Sequence, residues 1–271
     1  MFNETFKALL KEAEFTKEML GSGATQIRNA HYASKGIYFQ AFTSLSTGLE
    51  RIGKLCLMLD HYVEHDGKFP EFEYMKRELC HDISGIYEKS APLIVKYSIS
   101  MRSLRNLDDP IHRAIVSILS DFAQGDRYSN INLLVGGRRQ SDPIASWFIQ
   151  VDRPLFETRV TQKKKDTIQN NADAIASMLN PYARVLHTSE IGEETTSVEE
   201  ASGMTGIYRA VAPYRQLYVV QIIRYWAELL SGLQDKAMAL GREDIPFFNE
   251  IFRAFYNDDS YIRTRKAWDK V

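Results

Sequence analysis

Apolar residues recur at spacings of three and four along almost the whole chain, whereas the strict alternation of a half-buried strand is scarce. The stretch 34–65 shows the pattern best, because its apolar positions share one helical face: Phe39, Phe42, Leu45, Leu49, Ile52, Leu55, Cys56 and Leu59. An apolar stripe on a helix has to be buried against another element. The sequence therefore predicts an all-α fold, a multi-helix bundle.

Glycine, proline and aspartate residues punctuate this pattern and predict where helices begin and end. The first helix should end near the glycines at 21–23. Pro70 should open a further helix that passes through Met75, Leu79 and Ile83. Pro154 should kink or break a helix that starts at Asp142-Pro143, because the proline ring removes a backbone hydrogen bond. After it we expect one helix over 155–179.

These helix-breaking residues divide the chain into two predicted lobes, a helical bundle over 1–136 and a helical C-terminal lobe over 137–271. Residues 187–203 interrupt the second lobe, because they carry five glutamates and little apolar content. A segment of that composition cannot bury enough apolar surface to order itself. We expect a mobile acidic loop there.

The charge balance, the apolar runs and the cysteine content limit the classes of function that the sequence predicts. Lys plus Arg is 34 and Asp plus Glu is 35, so any contact with RNA requires a local basic patch. No apolar run approaches the length of about 20 residues that spans a membrane, and the N-terminus does not resemble a signal peptide. Cys56 and Cys80 lack the paired spacing of a zinc site or a disulfide framework. The sequence thus predicts a cytoplasmic protein with two buried free thiols, no membrane contact, no metal and no cofactor.

The fragment 104–116 carries the most specific chemical pattern in the chain. Arg105 is followed by the polar Asn106, and His112 stands seven positions after the arginine. This Arg-x6-His spacing resembles the signature of HEPN domains, small helical-bundle ribonucleases of toxin, CRISPR and phage-defence systems. The resemblance covers about 100 residues, from the helix at 35–62 to about residue 137, so the lobe 1–136 is expected to be HEPN-like.

The resemblance also implies a mechanism and a set of partners. In such enzymes two copies of the motif meet at a dimer interface and cut RNA without a metal ion. Histidine performs acid–base chemistry on the ribose 2′-hydroxyl, and arginine stabilises charge on the scissile phosphate. Transferred to this chain, His112 is the general acid or base, Arg105 the phosphate clamp and Asn106 its polar orienter. RNA, a second copy and a protein partner such as an antitoxin are then the expected partners.

The same fragment has a purely structural interpretation. Asp108 or Asp109 would cap a helix that Pro110 opens, and His112 would be a surface residue of the first turn. Arg105 would pair with an aspartate. The Asp-Asp-Pro sequence favours this interpretation, because it places Arg105 ahead of the helix and puts two carboxylates beside the supposed phosphate clamp.

A second polar cluster is predicted between two helices and consists of Glu50, Lys54, Arg77, His81 and Asp82. Its Glu-x3-Lys helix and downstream His-Asp segment resemble abortive-infection relatives of the HEPN superfamily. The cluster is otherwise a buried polar tether. Glu78 and His81 also form the Glu-x-x-His pair of carboxylate-bridged di-iron bundles, but a full site needs a second such pair. Residues 109–112 imitate that pair poorly, so no metal site is predicted.

The connector 125–143 supplies the basic patch that RNA binding would require. Arg127, Tyr128, Arg138 and Arg139 could bind a phosphate backbone with one aromatic stack, or the arginines could simply solvate a turn. Two hypotheses follow from the sequence. The first is a metal-independent HEPN-type endoribonuclease of a bacterial defence or toxin system. The second is a non-catalytic helical interaction module that binds a protein partner or small ligand through its aromatic second lobe.

Overall fold

The computed structural model describes residues 3–74 and 80–268. It is 72% helix and 2% strand, which confirms the all-α fold class. The predicted helix through Met75 and Leu79 falls partly outside the described residues, as do Arg77 and Glu78. Within the described part of the chain, no helix combines the length and the apolar content that crossing a membrane would require.

The helices of the first half are long at the N-terminus and short afterwards. They are α1 Glu4–Asn29, α2 Gly36–Glu64, α3 Ile83–Ser90, α4 Leu93–Lys96, α5 Pro110–Gln124 and α6 Ser129–Val135. The second half contains α7 Pro143–Trp147, α8 Arg153–Arg159, α9 Gln162–Leu179, α10 Val198–Met238, α11 Phe248–Ile251 and α12 Asp259–Thr264. Short 3₁₀ turns occupy Tyr32–Ser34, Asp126–Tyr128 and Arg253–Tyr256.

Helix α1 runs through the glycines at 21–23, so the prediction that it ends there is wrong. Gly23 of α1 and Gly48 of α2 let the two helices approach closely. A Cβ on Gly23 would lie 2.6 Å from Leu45 Cγ, and a Cβ on Gly48 would lie 2.7 Å from Leu20 Cγ. Each glycine therefore contacts a leucine of the opposite helix, in the space that its own side chain would otherwise fill.

The 41-residue helix α10 is the central element of the fold. From Val211 to Ala237 most of its residues are buried, and it packs against α1, α2, α5, α8 and α9. One continuous hydrophobic core extends from Leu9 to Trp268 and draws on both predicted lobes, 1–136 and 137–271. The two ranges thus share a core, which α10 joins together.

The helix that starts at Pro143 changes from α-helical to π-helical geometry just before Pro154, and the helical stretch ends at Arg159. Residues Phe148–Asp152 form a π-helical turn, after which α8 begins with Pro154 in its first turn. The expected single helix over 155–179 is split, because Val160 is extended and Thr161 starts α9 by accepting a hydrogen bond from the Lys164 amide. Both α8 and α9 pack against α10.

The glutamate-rich segment 187–203 contains regular structure. Strands β1 His187–Thr188 and β2 Glu194–Thr195 pair antiparallel, with His187 opposite Thr195. Residues from Val198 onward already belong to α10, whose first turn carries Glu199 and Glu200. Carboxylates at a helix N-terminus are favourable, because they face the positive end of the helix dipole. The glutamates therefore support helix formation here.

Two glycine substitutions test the close packing of α1 and α2. Gly48→Ala should destabilise the protein by about 1–3 kcal/mol, because overpacking against Leu20 outweighs the gain in helix propensity. Gly203→Ala is the matched control on α10, since a Cβ there meets nothing within 4 Å. It should stabilise the protein by about 0.5–1 kcal/mol. Urea unfolding measures both changes, and equal stability of the two variants would contradict the packing argument.

Candidate functional site

The imidazole of His112 is buried where α5 meets α10, with the residue only 3% exposed. Its Nε2–H donates to Gln221 Oε1 at 2.9 Å, and its ring packs on Tyr218 with 4.9 Å between centroids. Gln221 uses its amide nitrogen to donate to Asp259, so its oxygen is the atom that faces His112. His112 is thus an internal residue that fastens α5 to α10, and the expectation that it is a surface residue is wrong.

Local signals place His112 at this point. Asp109 caps α5 by accepting from the Ile111 amide at 2.8 Å, and Pro110 occupies the first turn, as the sequence predicts. The apolar face of α5 is then buried through Ile115, Leu119 and Phe122. His112 lies three residues before Ile115, on the same helical face, so it enters the core together with the apolar stripe.

The other two residues of the predicted motif lie elsewhere. Arg105 is exposed and makes no hydrogen bond or ion pair with another described residue. Asn106 is also exposed, and its side-chain oxygen accepts from the Asp108 amide at 3.2 Å. The aspartate pairs with Arg113 at 2.7 Å, whereas the structural interpretation expected Arg105 as its partner. The structure does not join Arg105 to His112.

A different guanidinium lies close to His112. Arg159, at the end of α8, donates a hydrogen bond to the Tyr218 hydroxyl, and the Tyr218 ring contacts the His112 imidazole. On the other side of the imidazole, Gln221 Nε2 donates to Asp259 Oδ2 at 2.8 Å. Sequence reasoning missed these partners, because Arg159, Tyr218 and Asp259 are far from His112 along the chain.

Burial lowers the pKa of His112, and the hydrogen bond that the ring donates to Gln221 opposes this effect only in part. The imidazole is therefore neutral near pH 7, with its proton on Nε2. A neutral ring that already donates this proton to Gln221 acts as a structural donor in the folded protein.

A cavity of about 740 Å³ adjoins this network, between the start of α9, the middle of α10 and helix α12. It is lined by Val160, Thr161, Lys164, Arg209, Ala210, Pro213, Tyr214, Asp258, Ser260, Tyr261, Arg263 and Thr264. Val160 directly follows Arg159, Tyr214 lies one turn before Tyr218, and Asp258 and Ser260 flank Asp259. The cavity and the His112 network therefore share their supporting elements.

The cavity lining is positively charged. Lys164, Arg209 and Arg263 line it, and none of the three forms an ion pair with a carboxylate among the described residues. The one acidic residue of the lining, Asp258, caps α12 by accepting from Ser260 Oγ at 2.7 Å and from the Tyr261 amide at 2.9 Å. These two hydrogen bonds lower the pKa of Asp258. Its charge is thus engaged by α12, and the three cations remain available to a ligand.

The predicted second polar cluster forms in part. Glu50 accepts from Lys54 Nζ at 2.6 Å and from His81 Nδ1 at 3.0 Å. Asp82 has a different role, because it caps α3 through the Gly85 amide and accepts from Ser120 Oγ at 2.9 Å. These contacts join α2, α3 and α5. No group of three or more His, Cys, Asp or Glu residues suited to a metal ion occurs among the described residues.

The remaining predicted residues lie on the surface. The Arg127 guanidinium stacks on Tyr128 at 5.4 Å, and Arg138 is exposed. Arg139 pairs with Asp126 at 3.3 Å, so this arginine fastens the connector. Cys56 is a buried free thiol as predicted. Cys80 is exposed, because it lies in the loop that precedes α3, so its predicted burial is wrong.

Sequence reasoning also missed a fully buried ion pair. Arg215 of α10 is 0% exposed and donates from Nη1 to Asp152 Oδ2 at 3.1 Å and to the Tyr38 hydroxyl at 3.0 Å. Trp147 Nε1 donates to the other oxygen of Asp152 at 3.1 Å. Burial raises the pKa of Asp152, while the charge of Arg215 and the hydrogen bonds that Trp147 and Tyr38 donate to the carboxylate counteract it. An arginine inside an apolar helix was the one signal in the sequence that pointed to this pair.

The lowered pKa of His112 predicts a pH dependence of stability. Below its ordinary value of 6.5 the unfolded chain binds a proton at this site that the folded chain excludes, so stability falls as the pH drops. His112→Gln keeps a donor for Gln221 but cannot titrate. The parent should lose stability relative to this variant on acidification, as measured by urea unfolding on either side of pH 6.5. Parallel pH profiles would contradict the burial argument.

Comparison with known proteins gives no further guide to this site. No family model matches the chain, and neither a curated protein nor a solved structure matches it.

Proposed function

We propose that the protein binds a phosphate-bearing small ligand in the cavity between α9, α10 and α12. The observation that carries this proposal is the convergence of Lys164, Arg209 and Arg263 on one cavity without a carboxylate partner in the described chain. Cations held together in this way repel one another and gain free energy when an anion neutralises them. The proposal corresponds to the second hypothesis from the sequence, a non-catalytic binding module.

The chemistry of the lining supports a phosphate in particular. Arginine presents a planar fork that matches phosphate geometry, and lysine adds a point charge. Thr161 offers a hydroxyl donor, because its Oγ1 only accepts from the Lys164 amide, while Tyr214 and Tyr261 offer aromatic surface. The cavity volume lies within the range of about 300–1,000 Å³ that small-molecule sites occupy. A phosphate joined to an aromatic group fits both parts of the lining.

Calorimetric titration tests this proposal with inorganic phosphate, an aromatic phosphate monoester and the matching uncharged alcohol as probes. The monoester should bind and the alcohol should not. Arg209→Gln and Arg263→Gln should each weaken binding by about tenfold or more, since a hydrogen bond to a charged group contributes about 1.5–3 kcal/mol. Arg184→Gln is the matched control, because Arg184 is exposed and does not line the cavity.

Equal binding of monoester and alcohol would contradict the proposal, and so would an effect of Arg184→Gln as large as that of Arg209→Gln. Phosphate binding that rises in strength at low salt and weakens in both cavity variants would support it.

A metal-independent HEPN-type endoribonuclease is a second proposal. The all-helical architecture and the nearness of Arg159 to His112, through Tyr218, support it. The buried, hydrogen-bonded imidazole and the separate position of Arg105 favour the first proposal. An RNA partner, a homodimer, a protein partner or antitoxin, a role in toxin or antiviral defence and a cytoplasmic location all belong to this second proposal.

Cleavage of RNA in excess chelator tests the nuclease. His112→Ala should abolish cleavage while circular dichroism shows an intact fold, and Arg159→Gln should reduce cleavage more than Arg105→Gln if Arg159 is the cation at the site. Absence of cleavage by the parent protein, or equal activity of the His112 variant, would refute a nuclease centred on this histidine.

A further inference from the structure

Helix α6 and its flanks expose an unusual amount of apolar surface. We call residues 127–139 the basic-apolar segment. Its exposed apolar side chains are those of Tyr128, Ile131, Leu133, Leu134 and Val135. Leu134 is 86% exposed, which leaves almost its whole side chain in water. A contiguous apolar surface of this kind is typical of an interaction site.

The charge of this segment has one sign. Between Arg127 and Ser141 the sequence contains three arginines and no acidic residue. Arg127 and Arg138 form no ion pair with a described residue, whereas Arg139 pairs back to Asp126 and so holds the base of the segment on the fold. The segment thus presents an apolar helix between two free guanidinium groups.

A second surface of the same chain has the opposite charge. We call it the acidic-apolar end, formed by the C-terminal part of α9, the loop after it, the β1–β2 hairpin and the first turn of α10. Its exposed apolar side chains are those of Ile175, Met178, Leu179, Tyr182 and Leu186. Its exposed carboxylates are those of Glu193, Glu194, Glu199 and Glu200. Arg184 is the single exposed arginine of this surface, so the net charge of the surface is negative.

Specific contacts bring these groups to one end of the molecule. Gln169 Nε2 donates to Glu199 Oε1 at 3.1 Å, which places the acidic first turn of α10 beside α9. Ile175, Met178 and Leu179 follow the helical spacing of three and four, so they lie on one face of α9. Tyr182 follows in the turn after α9, where its amide donates to the Leu179 carbonyl at 2.8 Å. The buried residues of α9 are Ile168, Ala172 and Ala176.

We propose that the basic-apolar segment of one copy of this chain binds the acidic-apolar end of a second copy. Each surface exposes five large apolar side chains, and the two surfaces carry charge of opposite sign. No hydrogen bond or ion pair joins the two surfaces within the described chain. Reciprocal contacts close a dimer, and a rotation that does not close makes longer assemblies. The proposal is independent of the ligand cavity, because none of these residues lines it.

Sedimentation velocity over a range of protein concentrations and salt concentrations tests the association. The parent should self-associate, and the association should weaken at high salt, because the charges are exposed. Leu134→Ser together with Val135→Ser should weaken it by about tenfold or more, since each substitution removes a large apolar contact. Val95→Ser is the matched control, because Val95 is 83% exposed on α4 and belongs to neither surface. It should change nothing.

A charge exchange tests which surfaces meet. Arg127→Glu with Arg138→Glu should weaken self-association, because an acidic segment then faces an acidic end. Glu193→Lys with Glu200→Lys should weaken it for the mirrored reason. A mixture of the two variants should associate again, because each new charge then meets its opposite on the other copy.

Three results would each overturn the proposal: a parent that stays monomeric at every concentration, association that the Leu134 and Val135 substitutions leave intact, or variants that do not associate when mixed. Flotation with vesicles of phosphatidylcholine and phosphatidylserine tests whether the basic-apolar segment binds an anionic membrane surface and not a second copy of the chain. A monomer whose vesicle binding requires Leu134 would assign the basic-apolar segment to an anionic membrane surface and overturn self-association. All of these substitutions are at exposed positions, and circular dichroism verifies that the variants fold.

Discussion

The buried ion pair between Arg215 and Asp152 is the interaction on which the rest of the structure depends. Arg215 is at the middle of the central helix, fully removed from solvent, and a guanidinium cannot release its proton there. Its charge is stable only if Asp152, held by the π-helical turn, and Tyr38, from α2, stay within hydrogen-bond distance. The pair thus fixes α2, the π turn and α10 relative to one another, since loss of either charge would leave the other buried and unpaired.

Helix α10 extends from this pair in both directions and positions both the cationic cavity and the His112 network. Toward its N-terminus, Arg209 and Tyr214 line the cationic cavity. Toward its C-terminus, Tyr218 and Gln221 hold His112, and Arg224 donates to Asp259 at 2.8 Å. Asp259 belongs to α12, which forms another wall of the cavity. Because both the His112 network and the cavity are built on α10, they adjoin, and a shift of this helix would disturb the two together.

The environment of His112 distinguishes the two functional proposals. Acid–base chemistry on a ribose requires an imidazole that can reach the substrate and exchange its proton. Here burial favours the neutral ring, and Gln221 occupies its Nε2–H. Ligand binding in the cavity makes no such demand on His112, because Lys164, Arg209 and Arg263 reach the cavity from three separate elements. The charge distribution of the fold supports anion binding better than cleavage at His112.

The sequence by itself determined features that depend on neighbours a few residues apart. It established the all-α class, an aspartate cap at Asp108 or Asp109 ahead of Pro110, and the Glu50–Lys54 pair. Only the tertiary structure decided that Gly23 and Gly48 are packing contacts, that His112 is buried and that Arg159 lies close to it. It also paired Arg215 with Asp152, 63 positions away, and assembled the cavity from three elements. Helix periodicity and capping act over three or four residues, whereas burial and charge partners depend on which helix faces meet, and a single sequence does not state which faces those are.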